Sequence, residues 1–288
     1  MNIKFQEKKN YNKKEKYIIN KYFNKFNKKN KYIKSKIGDD CAIIHAASYI
    51  VITMDTLVLN THFLEKIHPF DLGYKSVSVN LSDLAAMGAS PKWILLSLTI
   101  PFINELWISK YSRGLFHNLN IFNVKLIGGD LNKGPLSITI TAQGIIPKNN
   151  NIKMSRYSAK IKDLIYVTGT LGDSAAGLSI LMNNLRITDK KSRNYLINRH
   201  IRPIPRVNEG IILRHLVNAA CDISDGTIID LKNILNSSQC GAKIYLDNLP
   251  ISSYLLKNVE YKRAVSFALY GGEDYELCFT IPKKKKKN

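Results

Sequence analysis

The stretch DLGYKSVSVNLSDLAAMGASP, residues 71–91, decides how this chain is read. Leu72, Val77, Val79, Leu81, Leu84 and Ala85 recur with helical spacing across 69–87, and Asp71 sits in the first turn, where the helix dipole favours an anion. Gly88 fits a C-cap, with Pro91 just beyond it. Inside this apolar helix lies Asn80-Leu81-Ser82-Asp83. A carboxylate among buried neighbours is awkward unless it is paired or ligating, so Asp83 is the first residue to suggest chemistry.

Outward from that helix the pattern keeps alternating. Residues 92–100 read as a strand and 105–122 as a helix. A short buried strand at 124–127 delivers Gly128-Gly129-Asp130, and 136–146 has the period-2 alternation of a half-buried strand. Upstream, 1–36 reads as a polar amphipathic helix with Tyr17, Ile18, Tyr22, Phe23 and Phe26 on one face. A turn at 37–42 (IGDDCA) follows, then a strand over 49–53 that ends at Met54-Asp55-Thr56. After Pro147 and an Asn/Lys linker a second unit begins: a strand at 163–168, a glycine turn at 169–173 and a helix at 174–183. A strand at 219–221 runs into DISDG (222–226) and a helix through Leu235. Another strand is expected at 242–246, and GGEDYE (271–276) precedes a strand at 277–281. Interleaved strands and helices in both halves imply two α/β domains, 1–148 and 149–288.

Composition narrows the class. The 288 residues are 45% hydrophobic and 23% charged, enough for a sizeable core and against disorder over most of the chain. The longest apolar stretch, 93–103, is interrupted by Ser97, Thr99 and Pro101, so no membrane span is expected. No apolar signal segment follows the start, and Cys41, Cys221, Cys240 and Cys278 form no CxxC pair. A soluble, cytoplasmic protein with buried thiols in a reducing compartment is the expectation. The net charge of +21, from 43 Lys+Arg against 22 Asp+Glu, invites a nucleic-acid reading. However, 13 lysines lie in the first 36 residues and five more at 283–287, with no RNP-like aromatic motif or recognition helix. A solvated basic surface is favoured, and no specific nucleic acid is expected.

The scarce acids say more. Nine of the 22 lie in short clusters flanked by Gly, Ser or Thr: Asp39, Asp40, Asp55, Asp83, Asp130, Asp222, Asp225, Glu273 and Asp274. Such groups are costly to bring together unless a cation compensates them. Carboxylates at tight turns suit Mg²⁺, which takes oxygen ligands and shares phosphate oxygens with a substrate. His and Cys show no zinc spacing, and GxSxG, HExxH and the P-loop pattern are absent. Metal-assisted phosphoryl transfer fits best. Taken singly, each cluster has a bland alternative. Asp39-Asp40 could cap a turn, Gly128-Gly129-Asp130 is a common turn, Asp222 with Asp225 could cap a helix, and His62 and Arg156 could be solvated surface groups.

Taken together, the motifs resemble those of the thiamine-monophosphate kinases, in the superfamily of aminoimidazole ribonucleotide synthetase and selenophosphate synthetase. The resemblance rests on IGDDCA (37–42), TMDT (53–56) before His62-Phe63, the 71–91 stretch, LIGGD (126–130) and DLIYVTGTLGDSAAGL (163–178). HIRPIPR (200–206), DISDG (222–226) and GGEDYELCF (271–279) complete it, in the family's order. It implies a two-domain synthetase-like kinase fold, α/β (α+β), whose N-terminal sheets pair across a homodimer, with active sites between the domains. It implies ATP-dependent phosphorylation of thiamine monophosphate to thiamine diphosphate. It further implies Asp40, Thr53, Asp55, Asp83, Asp130, Asp222 and Asp225 as Mg²⁺ ligands and Gly129, Asp130, Arg156 and Ser224 as holding ATP. His62 and Glu273 would contact the thiamine phosphate. The acids, Asp130 and Asp222 above all, would then act electrostatically and no acid–base residue is expected.

Two departures stand out. Met54 replaces a residue that is more often a hydroxyl, so a metal contact there would have to come from the backbone. Family members also continue beyond the strand at 277–281, whereas here Pro282 leads into a lysine run. An adenine tract encodes such a run, so a frameshift or slippage product with an incomplete C-terminal domain is expected. Intact mass would detect a longer species. A truncated pseudoenzyme that binds Mg-ATP and a basic nucleic-acid-binding protein are the competing readings.

Overall fold

The computed structural model describes residues 17–24, 33–35, 43–44, 48–148 and 154–283. The chain divides into two compact units, Met1–Asn80 with Pro91–Gln143, and Leu81–Ser90 with Gly144–Asn288. A short helical segment, α1 (Ile19–Asn24), precedes β1 (Ile33–Ser35) and β2 (Ile43–Ile44), which pair antiparallel. The helix expected over 1–36 therefore does not reach its predicted end, because Ile33–Ser35 is strand; most of its remainder lies outside the described residues, as do IGDDCA at 37–42 and the lysines at 284–287. In the part that is described, Ile18 and Phe23 are buried and Tyr17 is exposed.

The first unit centres on a sheet of β3 (Tyr49–Val58), β4 (Ser90–Ile100), β5 (Lys125–Lys133) and β6 (Ser137–Ile146), ordered β3-β6-β4-β5. Period-2 alternation buries Ile94, Leu96, Leu98 and Ile100 on β4 and Ile138, Ile140 and Ala142 on β6. Two helices accompany it, α2 (Pro69–Ala86) and α3 (Glu105–Ile121). They cross backbone to backbone: a Cβ on Gly73 would stand 2.2 Å from the Tyr111 carbonyl oxygen, and one on Gly114 1.8 Å from that of Phe70. Asn118 of α3 fastens the crossing by donating to the Tyr74 carbonyl (2.8 Å) and the Ser78 hydroxyl (2.7 Å). Asn104 caps α3 through the Trp107 N–H at 3.0 Å.

Two strands run further than the sequence suggested. β3 passes straight through Met54-Asp55-Thr56, and β5 through Gly128-Gly129-Asp130. β5 pairs parallel with β4, with a register shift where Ile94↔Leu126 gives way to Leu95↔Gly128. A Cβ on Gly129 would lie 1.9 Å from the Leu96 carbonyl oxygen. The glycine pair therefore marks a bulge and a close strand approach rather than a turn.

The second unit holds an antiparallel sheet of β7 (Leu164–Val167), β8 (Ala219–Asp222) and β9 (Leu277–Ile281), ordered β7-β9-β8. Its helices are α4 (Asp173–Leu181), α5 (Lys190–Ile201), α6 (Val207–Leu213), α7 (Thr227–Ser237), α8 (Ser253–Leu256) and α9 (Tyr261–Tyr270). Leu171, Cys221, Ile223, Leu231, Ile234 and Cys278 form one apolar core, and Ala176, Ile180, Leu196, Leu255 and Ala264 another. The strand expected at 242–246 does not form. Of its alternating apolar residues only Ile244 reaches the core, and Tyr245 and Leu246 are exposed. Among the described residues no helix is long and apolar enough to cross a membrane.

Candidate active site

In the first unit, Thr53 and Asp55 are half-buried on the side of β3 that also carries buried Leu57. The buried amide of Asn80, on α2, accepts the Asp55 backbone N–H at 3.1 Å and donates to the Ser76 carbonyl at 3.1 Å. Met54 points to the opposite side and is 64% exposed. Asp55 thus projects from mid-strand, not from the tip that the sequence implied. His62 lies in the turn after β3, exposed, and its Nδ1 accepts the Val58 N–H at 3.1 Å. Asp130 is exposed on β5 and accepts from the Asn132 amide two residues on, at 2.6 Å. Period-2 geometry puts those two side chains on one face. Asp40 lies outside the described residues.

In the second unit the best-defined acid is Asp222, at the end of β8 and 3% exposed. Ser82, fully buried on the last turns of α2, donates its hydroxyl to Asp222 Oδ2 at 2.8 Å. Burial, and secondly the charge of Asp83, push the Asp222 carboxyl up to about 7. The sequence pattern placed Asp83 and Asp222 139 positions apart; the fold makes them electrostatic neighbours. A second negative charge near a buried carboxylate raises the pKa of the buried one and makes a place that a hard cation would relieve. Among the described residues no three His, Cys, Asp or Glu side chains are grouped as a metal centre.

Asp225, three residues on, is exposed. It caps nothing, because Asp230 in the first turn of α7 folds back and takes the N–H groups of Asp225 (3.0 Å) and Gly226 (3.1 Å). Burial, opposed by these bonds, pushes the Asp230 carboxyl up. Asp230 carried no motif that marked it in the sequence. Ser224 offers its carbonyl to the Glu273 N–H at 2.8 Å, and the Ile223 carbonyl takes the Tyr275 N–H at 2.9 Å. DISDG and GGEDYE are therefore stapled side by side, and a Cβ on Gly272 would sit 2.4 Å from the Ser224 oxygen. Arg156 is exposed, with its carbonyl held by the Ser238 hydroxyl at 2.9 Å.

Three further acids, Asp173, Asp274 and Glu276, are fully buried in this unit. Glu276 takes Arg199 Nη2 at 2.7 Å and both Nε and Nη2 of Arg206 at 2.6 Å. The fork geometry of arginine suits such a paired carboxylate. Asp173 accepts the hydroxyls of Thr170 (2.6 Å) and Tyr195 (3.2 Å). Asp274 accepts the Gly172 and Ser174 N–H groups at 2.7 and 3.1 Å, yet burial pushes its carboxyl up to about 7. These bonds give Arg206 of the HIRPIPR stretch and Asp274 and Glu276 of GGEDYE a structural task. They fix the backbone that presents Glu273.

Residues 38–146 match the model of the AIR synthase related protein N-terminal domain, and 160–286 that of the C-terminal domain. The chain is 54% identical over 269 residues to the thiamine-monophosphate kinase of Buchnera aphidicola subsp. Acyrthosiphon pisum (strain APS), covering 93% of this chain and 83% of that protein. A crystal structure of thiamine-monophosphate kinase from Stenotrophomonas maltophilia K279a superposes with a TM-score of 0.84 at 39% identity, over 90% of this chain and 83% of that one. A structure of AaThiL complexed with AMPPCP and TMP gives a TM-score of 0.76 at 32% identity, over 86% and 81%. With both domain models matched and such identity along most of its length, the chain belongs to the thiamine-monophosphate kinases, within the AIR synthase related proteins.

Proposed function

We propose that this protein transfers the γ-phosphoryl group of ATP to the phosphate of thiamine monophosphate, giving thiamine diphosphate and ADP. The observation that carries the reading is the carboxylate of Asp222, buried and held by Ser82 while feeling the charge of Asp83, an arrangement that is costly without a cation and useful with one. Family membership supplies the substrates.

The acceptor is itself a phosphate, whose second pKa of about 6 leaves it ionised at neutral pH. No general base is needed to make the nucleophile. The difficulty is electrostatic, since two polyanions must be brought in line. We assign Asp83, Asp222 and Asp225 in the second unit, and Thr53, Asp55 and Asp130 in the first, as the residues that would hold Mg²⁺, with Asp40 beside them in the assignment. Bound there, Mg²⁺ supplies neutralisation of phosphate charge. With a nucleotide present it takes one or two carboxylates and completes its shell with water and phosphate oxygens, which suits a carboxylate pair better than an all-protein cage. Ser82 contributes by holding one Asp222 oxygen in place. Gly129, Asp130, Arg156 and Ser224 are assigned to ATP. His62, through Nε2 because Nδ1 is occupied, and Glu273 are assigned to thiamine monophosphate.

The protein is further proposed to act as a homodimer in the cytoplasm, the N- and C-terminal domains dividing near residue 148. The side of β3 away from Leu57 carries Ile50, Ile52 and Met54 at 43%, 62% and 64% exposure, on an edge strand. An uncovered apolar edge of this kind favours pairing with a second copy. Cys221, Cys240 and Cys278 are free thiols, which suits a reducing compartment.

Incubation with Mg-ATP and thiamine monophosphate, followed chromatographically for thiamine diphosphate, tests the activity. Product is expected, and Asp130→Asn should abolish it with little change in the melting curve. A protein whose Tm rises with Mg-ATP but which makes no product would be a nucleotide-binding pseudoenzyme, and the proposal would fail.

A further inference from the structure

His200, buried on the last turn of α5, places Nδ1 3.1 Å from the Ser174 hydroxyl oxygen and 3.4 Å from Glu273 Oε2. All three residues are held from several sides. Ser174 opens α4, and its backbone N–H is anchored on Asp274. α5 lies so close to α4 that a Cβ on Gly177 would meet the Leu196 carbonyl oxygen at 2.1 Å and the His200 Cβ at 3.1 Å. Glu273 adopts φ 63° and Tyr275 φ 51°, both in the left-handed region. That backbone is strained for a side-chain-bearing residue. It persists where surrounding bonds over-determine it, and such sites cluster where ligands are gripped. Here the bonds are the Ser224 and Ile223 carbonyls and the Asp274 clamp. Glu273 is left 26% exposed with one oxygen against the imidazole.

We infer that His200, backed by Ser174, is a positioning residue that fixes the Glu273 carboxylate in the orientation in which it meets thiamine monophosphate. The inference rests on the assignment of Glu273 as a substrate contact. A carboxylate only accepts hydrogen bonds, so His200 presents a protonated Nδ1 to it, and the Ser174 hydroxyl oxygen, 3.1 Å from the same nitrogen, shares that N–H as a second acceptor that orients the ring. Thiamine monophosphate carries a cationic thiazolium ring that an anchored carboxylate attracts, whereas ATP is a polyanion. The role of His200 therefore bears on one substrate and not on the other.

Steady-state kinetics and calorimetric titration with thiamine monophosphate test this on His200→Leu, His200→Asn, Ser174→Ala and Glu273→Gln. His200→Leu should raise the KM for thiamine monophosphate roughly tenfold, as expected for one hydrogen bond to a charged group, with the KM for ATP moving less than about twofold. Ser174→Ala should shift the same parameter by less and keeps the experiment readable if the leucine variant folds poorly. His200→Asn, which keeps a donor near Nδ1, should recover most of the loss. In a Glu273→Gln background, His200→Leu should add little. An unchanged KM in both His200→Leu and Ser174→Ala, with Glu273→Gln still impaired, overturns the positioning role alone. A rise in both KM values that follows a fall in Tm does the same. A silent Glu273→Gln overturns the substrate assignment and the inference with it.

Discussion

Asp222 is the residue with the most at stake in its protonation. Its folded value of about 7 stands above that of an aspartate in an unfolded chain, about 3.9. Between those values the folded protein keeps a proton that the unfolded chain has released, so the metal-free protein loses stability as pH rises through that window. Asp222→Asn removes the charge while its carbonyl can still accept from Ser82. The Tm of the metal-free variant should therefore gain on wild type by on the order of a few degrees more at pH 8 than at pH 5, with turnover lost. Asp274, which titrates in the same direction, is present in both proteins and cancels in the comparison. Equal gaps at the two pH values, measured by calorimetry with chelator present, would contradict the assigned burial. Mg²⁺ competes with that proton, so Mg-ATP should raise the wild-type Tm more at pH 8 than at pH 6.

At the level of elements, the strand-to-helix and helix-to-strand junctions of the second unit are where sequence and structure agree most closely. DISDG and GGEDYE lie beside β8 and β9, as glycine and serine at those positions implied. Gly272→Ala should destabilise by at least about 2 kcal/mol, because the new Cβ meets a backbone oxygen rather than a side chain that could move aside. Denaturant melts would show it, and a loss below ~0.5 kcal/mol would mean the staple relaxes freely. The first unit was read less well. Asp55 and Asp130 both look like turn-tip acids because Thr, Gly or Asn stands beside them, yet both lie inside strands. A glycine pair in a strand is locally indistinguishable from one in a turn. Only the partner strand β4, through the close approach of Leu96, tells them apart. Likewise 242–246 has a strand's alternation with no strand to pair with, and α5 lacks a sufficiently regular apolar stripe to stand out. Ser82 and Asp230 were silent for another reason. Their importance lies in partners at long range or in a backward-folding turn, and no local spacing records either.

For the molecule as a whole, the excess of basic charge is concentrated at 1–36 and 283–287, and most of those residues lie outside the described ones. Family, fold class and reaction were legible because eight short motifs occur in one order, which chance composition does not reproduce. Assembly as a homodimer is an implication of that resemblance and stands as a proposal. Its physical ground is the row Ile50, Ile52 and Met54, visible once β3 is seen to be an edge strand. Ile52→Asp should shift sedimentation from dimer to monomer at micromolar concentration, and a wild type that sediments as a monomer would remove the dimer proposal. The same uncovered row makes dilution a hazard for this protein. Were the proposed dimer to part, each subunit would offer sticky backbone and oily side chains to whatever strand it met next, so on that proposal shelf life and recovery from heating should improve as the stock is made more concentrated.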